Sequence, residues 1–155
     1  MALPGSRLMP VEECLVDTNV ILRITRRDDP HHLEAYSALS HLSAQGTIYF
    51  THQNIAEVWN ALTRPIARNG IGLTPAEAEQ EVRTIEAGMT LLPDNETVYR
   101  EWRRLVYQYG VSGVQVHDAR LAAAMYAHGL VHILTFNIDD FRRYDGIVPL
   151  HPKDF

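Results

Sequence analysis

The sequence predicts an α/β fold, one three-layer α/β/α domain on a central parallel sheet of four or five short strands. Three observations predict it. Residues 14–16, 47–50, 89–92 and 131–135 are runs too short and too apolar to alternate, as strands buried on both faces are. Longer stretches of helical periodicity, bounded by start and stop signals, separate those runs. The length, 155 residues at 46% hydrophobic and 21% charged, suits one folded domain with a sizeable core and argues against disorder.

In order, residues 1–10 read as a loose leader without the apolar core of a signal peptide. Residues 14–16 form the first strand, and a short helix runs from about Val20 toward Arg26. Asp28-Asp29-Pro30 breaks it. Residues 31–44 carry Leu33, Tyr36, Leu39 and Leu42 as a helical face, which Gln45-Gly46 ends. After the second strand, Thr51 caps a helix over 52–68 with a kink or break at Pro65; Ile55, Val58, Trp59 and Leu62 are its apolar face, and Glu57 lies beside that face. Thr74-Pro75-Ala76-Glu77 is a capping box with proline at the first helical position, so the next helix runs to about Ala87. Beyond the third strand, Asp94 is the expected cap of a helix over 96–109 with Val98, Trp102, Leu105 and Val106 inward. From about Val116 a helix rich in alanine can lie close against a sheet, and Gly129 ends it. Residues 131–135 make the fourth strand; Ile147-Val148 is a candidate fifth after the Tyr144-Asp145-Gly146 turn.

Several function classes drop out. No apolar run approaches the roughly 18 residues of a membrane span. The single cysteine, Cys14, excludes an intrachain disulfide and a cysteine-rich zinc site. These features point to the cytoplasm. Net charge is −5, against a broad basic surface for nucleic acid. Local basic spots remain at Arg26-Arg27, Arg64 and Arg68, Arg103-Arg104 and Arg142-Arg143. Lys153 is the sole lysine, and arginine suits bidentate phosphate contacts. His128 and His132 are four apart, but Gly129 between them ends the helix, so they do not form a zinc pair. His31-His32 reads as surface and His117 as structural.

The acids carry the chemistry. Right-handed crossovers would bring every strand's carboxyl end to one rim, where open α/β sheets bind ligands. Asp17 follows the first strand, Glu57 lies two turns into the helix after the second, and Asp118 lies in the first turn of the alanine-rich helix. Asn137, Asp139 and Asp140 follow the fourth strand. Each has an ordinary reading alone: helix cap for Asp17 and Asp118, surface for Glu57, turn for Asp139. Together they offer oxygen ligands, which favour a hard cation such as Mg²⁺ or Mn²⁺ and phosphodiester chemistry. A rival is aspartyl phosphotransfer of the haloacid-dehalogenase kind, with Asp17 as nucleophile. It wants an acid where Asn19 stands and a lysine in mid-chain. No Gly-Lys-Ser/Thr loop and no Gly-x-Gly-x-x-Gly motif is present.

Four motifs in order, Leu-Val-Asp-Thr-Asn-Val-Ile-Leu at 15–22, Asn-Ile-Ala-Glu-Val-Trp-Asn at 54–60, Val-His-Asp-Ala-Arg-Leu-Ala-Ala-Ala at 116–124 and Leu-Thr-Phe-Asn-Ile-Asp-Asp-Phe at 134–141, resemble the PIN-domain ribonucleases. In order and spacing the chain is most similar to VapC-type toxins of toxin–antitoxin pairs, and the resemblance spans nearly the whole chain. It implies a metal-dependent endoribonuclease hydrolysing RNA, with Asp17, Glu57 and Asp118 as catalytic, metal-binding acids. The departure is Asn137, where many PIN domains have aspartate. Asn137 could reach an ion only through a water, and Asp140 is the candidate to supply the missing charge. Thr135 is placed to hydrogen-bond an acid or a water. The resemblance also implies a small antitoxin whose basic side chain meets Asp17 or Asp118. It further implies a homodimer through the helices over 31–44 and 51–68, with Tyr36 and Trp59 as anchors or, for Trp59 above all, as core. A non-catalytic module that keeps the fold is the alternative.

Overall fold

The computed structural model describes residues 10–155; of the expected leader, all but the exposed Pro10 lies outside them. Among the described residues are five strands, β1 (Glu13–Val16), β2 (Thr47–Phe50), β3 (Thr90–Leu91), β4 (His132–Leu134) and β5 (Val148–Leu150). All pair in parallel, in the order β3-β2-β1-β4-β5. The helices are α1 (Thr18–Thr25), α2 (His32–Gln45), α3 (His52–Thr63), α4 (Pro75–Gly88), α5 (Glu96–Gln108) and α6 (Gln115–His128). None is long and apolar enough to cross a membrane.

β1 is the middle strand, and its alternating side chains divide the core. Cys14 and Val16 face one layer with Val20 and Ile21 of α1, Ala38 and Leu42 of α2, Val58 and Leu62 of α3, and Ile85 of α4. Leu15 faces the other, with Leu105 of α5, the buried alanines of α6, Phe141 and Tyr144. Small side chains let α6 lie close to the sheet, as its composition predicts. Cys14 is fully buried, and burial pushes its thiol up to about 12, so it is no nucleophile.

Gly46 joins α2 to β2 under tight constraint. A Cβ there would stand 2.0 Å from the Glu12 carbonyl oxygen, while the Thr47 N–H donates to that same oxygen at 2.9 Å. Glycine at this point lets β2 enter in register with β1. At the far side, β5 hangs on β4 through the Val148 N–H to the Val131 carbonyl at 2.8 Å and the Thr135 N–H to the Leu150 carbonyl at 2.9 Å. Pro149 sits between these two bonds, opposite Ile133.

Two expectations are corrected, and the expected break at Pro65 is present. Leu33 and Tyr36 face solvent, 78% and 60% exposed, while Ala35 and Ala38 are buried with Leu39 and Leu42. Three-residue steps drift around a helix of 3.6 residues per turn, so a chain of them cannot stay on one face. The helix over 52–68 stops at Thr63, and Pro65 leads into a separate 3-10 turn at Ile66–Arg68. Asn95, not Asp94, caps α5: its side chain accepts from the Val98 N–H at 3.1 Å, and Asp94 instead pairs with Arg120 of α6.

From β1 the chain moves outward through β2 and β3, then returns to lay β4 on the other side of β1. The order reverses between β1 and β4, the switch point beyond whose carboxyl ends open α/β sheets form a ligand crevice.

Candidate metal centre

Asp17 stands at that crevice, 6% exposed. It is the helix cap and the pocket acid at once. Its Oδ1 accepts from the Thr18 N–H at 2.8 Å, the cap of α1. Its Oδ2 accepts from the Thr135 hydroxyl at 2.8 Å and from the Asn19 amide at 3.3 Å. The register makes this possible: Val16 lies beside Leu134, so the next residues of β1 and β4 meet. Thr135 thus holds the acid, and its hydroxyl oxygen in turn accepts from the Asn137 N–H at 2.9 Å. Asn19 ties in the same loop through its Oδ1, which accepts from the Phe136 N–H at 3.3 Å.

The second wall is α3. Thr51 and Asn54 form a reciprocal capping box, and the buried Asn54 amide donates to the Thr18 hydroxyl at 3.0 Å, locking α3 to α1 beside Asp17. Gln53, in the first turn, uses its amide twice: it donates to Glu57 Oε1 at 2.7 Å and to the His117 carbonyl at 2.9 Å. Gln53 therefore connects Glu57 to the first turn of α6, where Asp118 lies. Its own Oε1 is buried with no partner. His117 itself is exposed and contributes its carbonyl, in keeping with a structural role.

Electrostatics show which acids share the pocket. Burial raises Asp17 from 3.8 to about 6, against the hydrogen bonds from Thr135 and Thr18, with Glu57 and Asp140 adding repulsion. Burial also raises Asp118, to about 7; Asp17, Asp140 and Glu57 push it further, and the Arg143 guanidinium pulls the other way. Arg143 is fixed by Gln115 of α6 at 2.6 Å. Asp140 thus bears on the same field as Asp17, Glu57 and Asp118. Asp139 pairs outward with Arg142 at 2.8 Å, and the Asn137 side chain is exposed.

The chemistry of this donor set fits a hard divalent cation: mutually repelling carboxylates, with proton affinity raised by burial at Asp17 and Asp118 and the Arg143 guanidinium as an opposing charge. Among the described residues, no three Asp, Glu, His or Cys side chains are grouped tightly enough to clasp an ion as they stand.

Gln53, Asn54 and Thr18 are the participants that reading the motifs overlooks. The signals were present: Gln53 is four residues before Glu57 on one helix, and Thr51-x-x-Asn54 is a capping box with asparagine in the third position.

Comparison with known proteins agrees with the fold. Solved structures share the fold at low identity. A chain of the VapBC2 complex of Rickettsia felis, bound to a fragment of its promoter DNA, superposes with a TM-score of 0.69 at 15% identity, covering 90% of this chain and 98% of that one. A chain of a toxin–antitoxin complex from Klebsiella pneumoniae gives 0.61 at 21% identity, covering 87% and 95%. VapC20 of Mycobacterium tuberculosis, a toxin that cleaves the sarcin-ricin loop, gives 0.58 at 16% identity, covering 77% and 86%. No curated protein sequence matches significantly. The family model described as the PIN domain matches residues 14–147, from the second residue of β1 to the threshold of β5, and the chain therefore belongs to the PIN-domain family.

Proposed function

We propose that this protein is a metal-dependent endoribonuclease held in check by a small antitoxin. One observation carries the reading: acids from four separate elements, Asp17, Glu57, Asp118 and Asp140, bear on one another at the switch point of the sheet. Acids so placed lower stability unless a cation joins them. A bound Mg²⁺ or Mn²⁺ would supply Lewis acidity and template a phosphodiester for in-line attack by water. Asp17 and Asp118 would hold the ion, with Glu57 as ligand or as the group that orients the nucleophile. Thr135 and Asn19 hold the Asp17 carboxylate in place, and Gln53 sets the position of Glu57 against α6. Family membership removes the haloacid-dehalogenase-like alternative.

Sequencing of RNA ends after brief expression tests the reading. Defined new ends should accumulate, and the purified protein should make the same cuts with Mg²⁺ or Mn²⁺ and none with EDTA. Wild-type protein that leaves RNA whole with either ion would favour the non-catalytic module.

The fourth acid has its own test. Asp140→Ala should weaken Mn²⁺ binding about tenfold or more, with activity falling in step, because even outer partners of a metal site contribute on that scale. Asn137→Asp should gain little by comparison, since that side chain faces solvent while Asp140 already bears on Asp17 and Asp118. Titration calorimetry that ranks the two effects the other way round would return the fourth position to residue 137.

The antitoxin and a homodimer complete the proposal. An arginine or lysine of a partner is the natural counterion for Asp17 or Asp118. Tyr36 is exposed on α2, beside an apolar groove of about 230 Å³ that also takes in Leu39, Ile85 and Met89. Trp59 packs partly buried against the first core layer, so of the two anchors Tyr36 is the one available to a partner.

A further inference from the structure

Beside the acidic pocket, and outside it, lies a cleft of about 450 Å³ lined by Asp94, Tyr99, Trp102, Val116, His117 and Arg120. We propose that this cleft takes an unstacked nucleobase of single-stranded RNA next to the cut site. The inference rests on the ribonuclease reading.

The walls are aromatic, and Trp102 is fixed in place. The Trp102 indole N–H donates to the Val116 carbonyl at 2.8 Å, which pins the ring against the first turn of α6. Tyr99, one turn earlier on α5, presents its ring to the same space, with centroids 6.4 Å apart and planes tilted by 39°. Tyr99 is 59% exposed, so its ring is open to a ligand. The cleft is far larger than an ion needs and within the size range of sites for small organic groups.

Its polar groups suit a base edge rather than an anion. Arg120 is matched by Asp94, so the pair offers donors and acceptors without net charge. The His117 ring adds one more group of either kind. A phosphate site would instead need unmatched cations. One such cation lies just outside: Arg103, next to Trp102 in sequence, is exposed and forms no ion pair among the described residues. Aromatic stacking with a flanking arginine on the backbone is the chemistry by which proteins hold single strands without reading an exact sequence.

Position ties the cleft to the pocket. His117 lines the cleft and Asp118 the pocket, on adjacent faces of one helical turn, and Gln53 joins that turn to Glu57. A strand whose phosphate meets the acids would therefore pass a neighbouring base over Trp102 and Tyr99.

The test uses protein carrying Asp17→Asn, to prevent cleavage, titrated with a short single-stranded oligoribonucleotide of mixed sequence while tryptophan emission is followed. Emission should be quenched on binding. Adding Tyr99→Ala should weaken binding about tenfold. Tyr99→Phe, which keeps the ring, should bind as the parent does. Equal binding by Tyr99→Ala overturns the cleft and leaves the nuclease reading intact if wild-type protein still cuts RNA. Unchanged RNA binding with a fall in mass by light scattering would assign the cleft to a second copy of the chain, which also overturns it. A parent that does not bind RNA overturns the cleft outright, and the wild-type cleavage assay then decides whether the nuclease reading falls with it.

Discussion

Asp17→Asn should reduce RNA cleavage by more than about 100-fold while leaving the metal-free protein as stable as wild type or more so. The activity loss follows from the position of Asp17 at the centre of the acidic group; substitutions one shell outside a metal already cost about 10–100-fold. The stability effect comes from a comparison of magnitudes. Asparagine keeps the cap, since its Oδ1 can still accept from the Thr18 N–H. It loses the acceptor that Thr135 and Asn19 now share, at a cost of about 1 kcal/mol. Against that stands the removal of a buried charge raised from 3.8 to about 6, which corresponds to about 3 kcal/mol at neutral pH. Relief exceeds loss. Cleavage at the wild-type rate by a variant free of contaminating nuclease would remove Asp17 from the reaction; a large drop in melting temperature would show that its role is structural.

The second large effect is the pH dependence of stability in EDTA. Both raised carboxyls have folded values above the unfolded 3.8, so each favours the fold when protonated. Below about pH 4 neither penalises it. As pH rises the unfolded chain ionises first, and the full penalty is reached once pH has passed about 6 for Asp17 and about 7 for Asp118. Asp118 is more open to solvent, so its larger rise counts for less than a direct conversion gives. Melting temperature should therefore fall by about 5–10 °C between pH 5.5 and 8 without metal. His132 acts in the opposite sense, its value lowered by burial, but only on the acid side of 6.5, which leaves the upper window to the carboxyls. Mg²⁺ or Mn²⁺ should flatten the curve from its alkaline end, where the acids are free to bind. A melting temperature that is level or climbs with pH in EDTA would contradict the electrostatic account of the pocket.

The sheet and most helices were readable from sequence because their signals are local. Thr47–Phe50 is a strand by its own composition, and Thr74-Pro75-Ala76-Glu77 satisfies its own helix end without help from elsewhere. The three acids of the motifs were placed from local signals too, Asp17 and Asp118 at element ends and Glu57 within α3. What escaped depends on the third dimension. Leu33 and Tyr36 look like core by spacing, yet Ala35 and Ala38 take the buried face with Leu39 and Leu42, because three-residue steps drift off a face that turns every 3.6 residues. Asp94 looks like a cap, yet Arg120, distant in sequence, claims it. Gln53 is unremarkable in the chain and becomes the link between Glu57 and α6 only when α3 and α6 converge.

Pro149 bears on how this protein can associate. An open sheet ordinarily offers its outermost strands as templates for another chain, whether a partner's strand or a growing aggregate. Here the Val148 N–H and the Leu150 carbonyl are turned toward β4, so position 149 between them is the one that would present a donor outward, and proline has none. The opposite border, β3, is two residues long. Among the described residues neither margin offers a long row of free donors, so strand addition is disfavoured at both, and an antitoxin or second copy would be expected on the helical faces or the rim of acids.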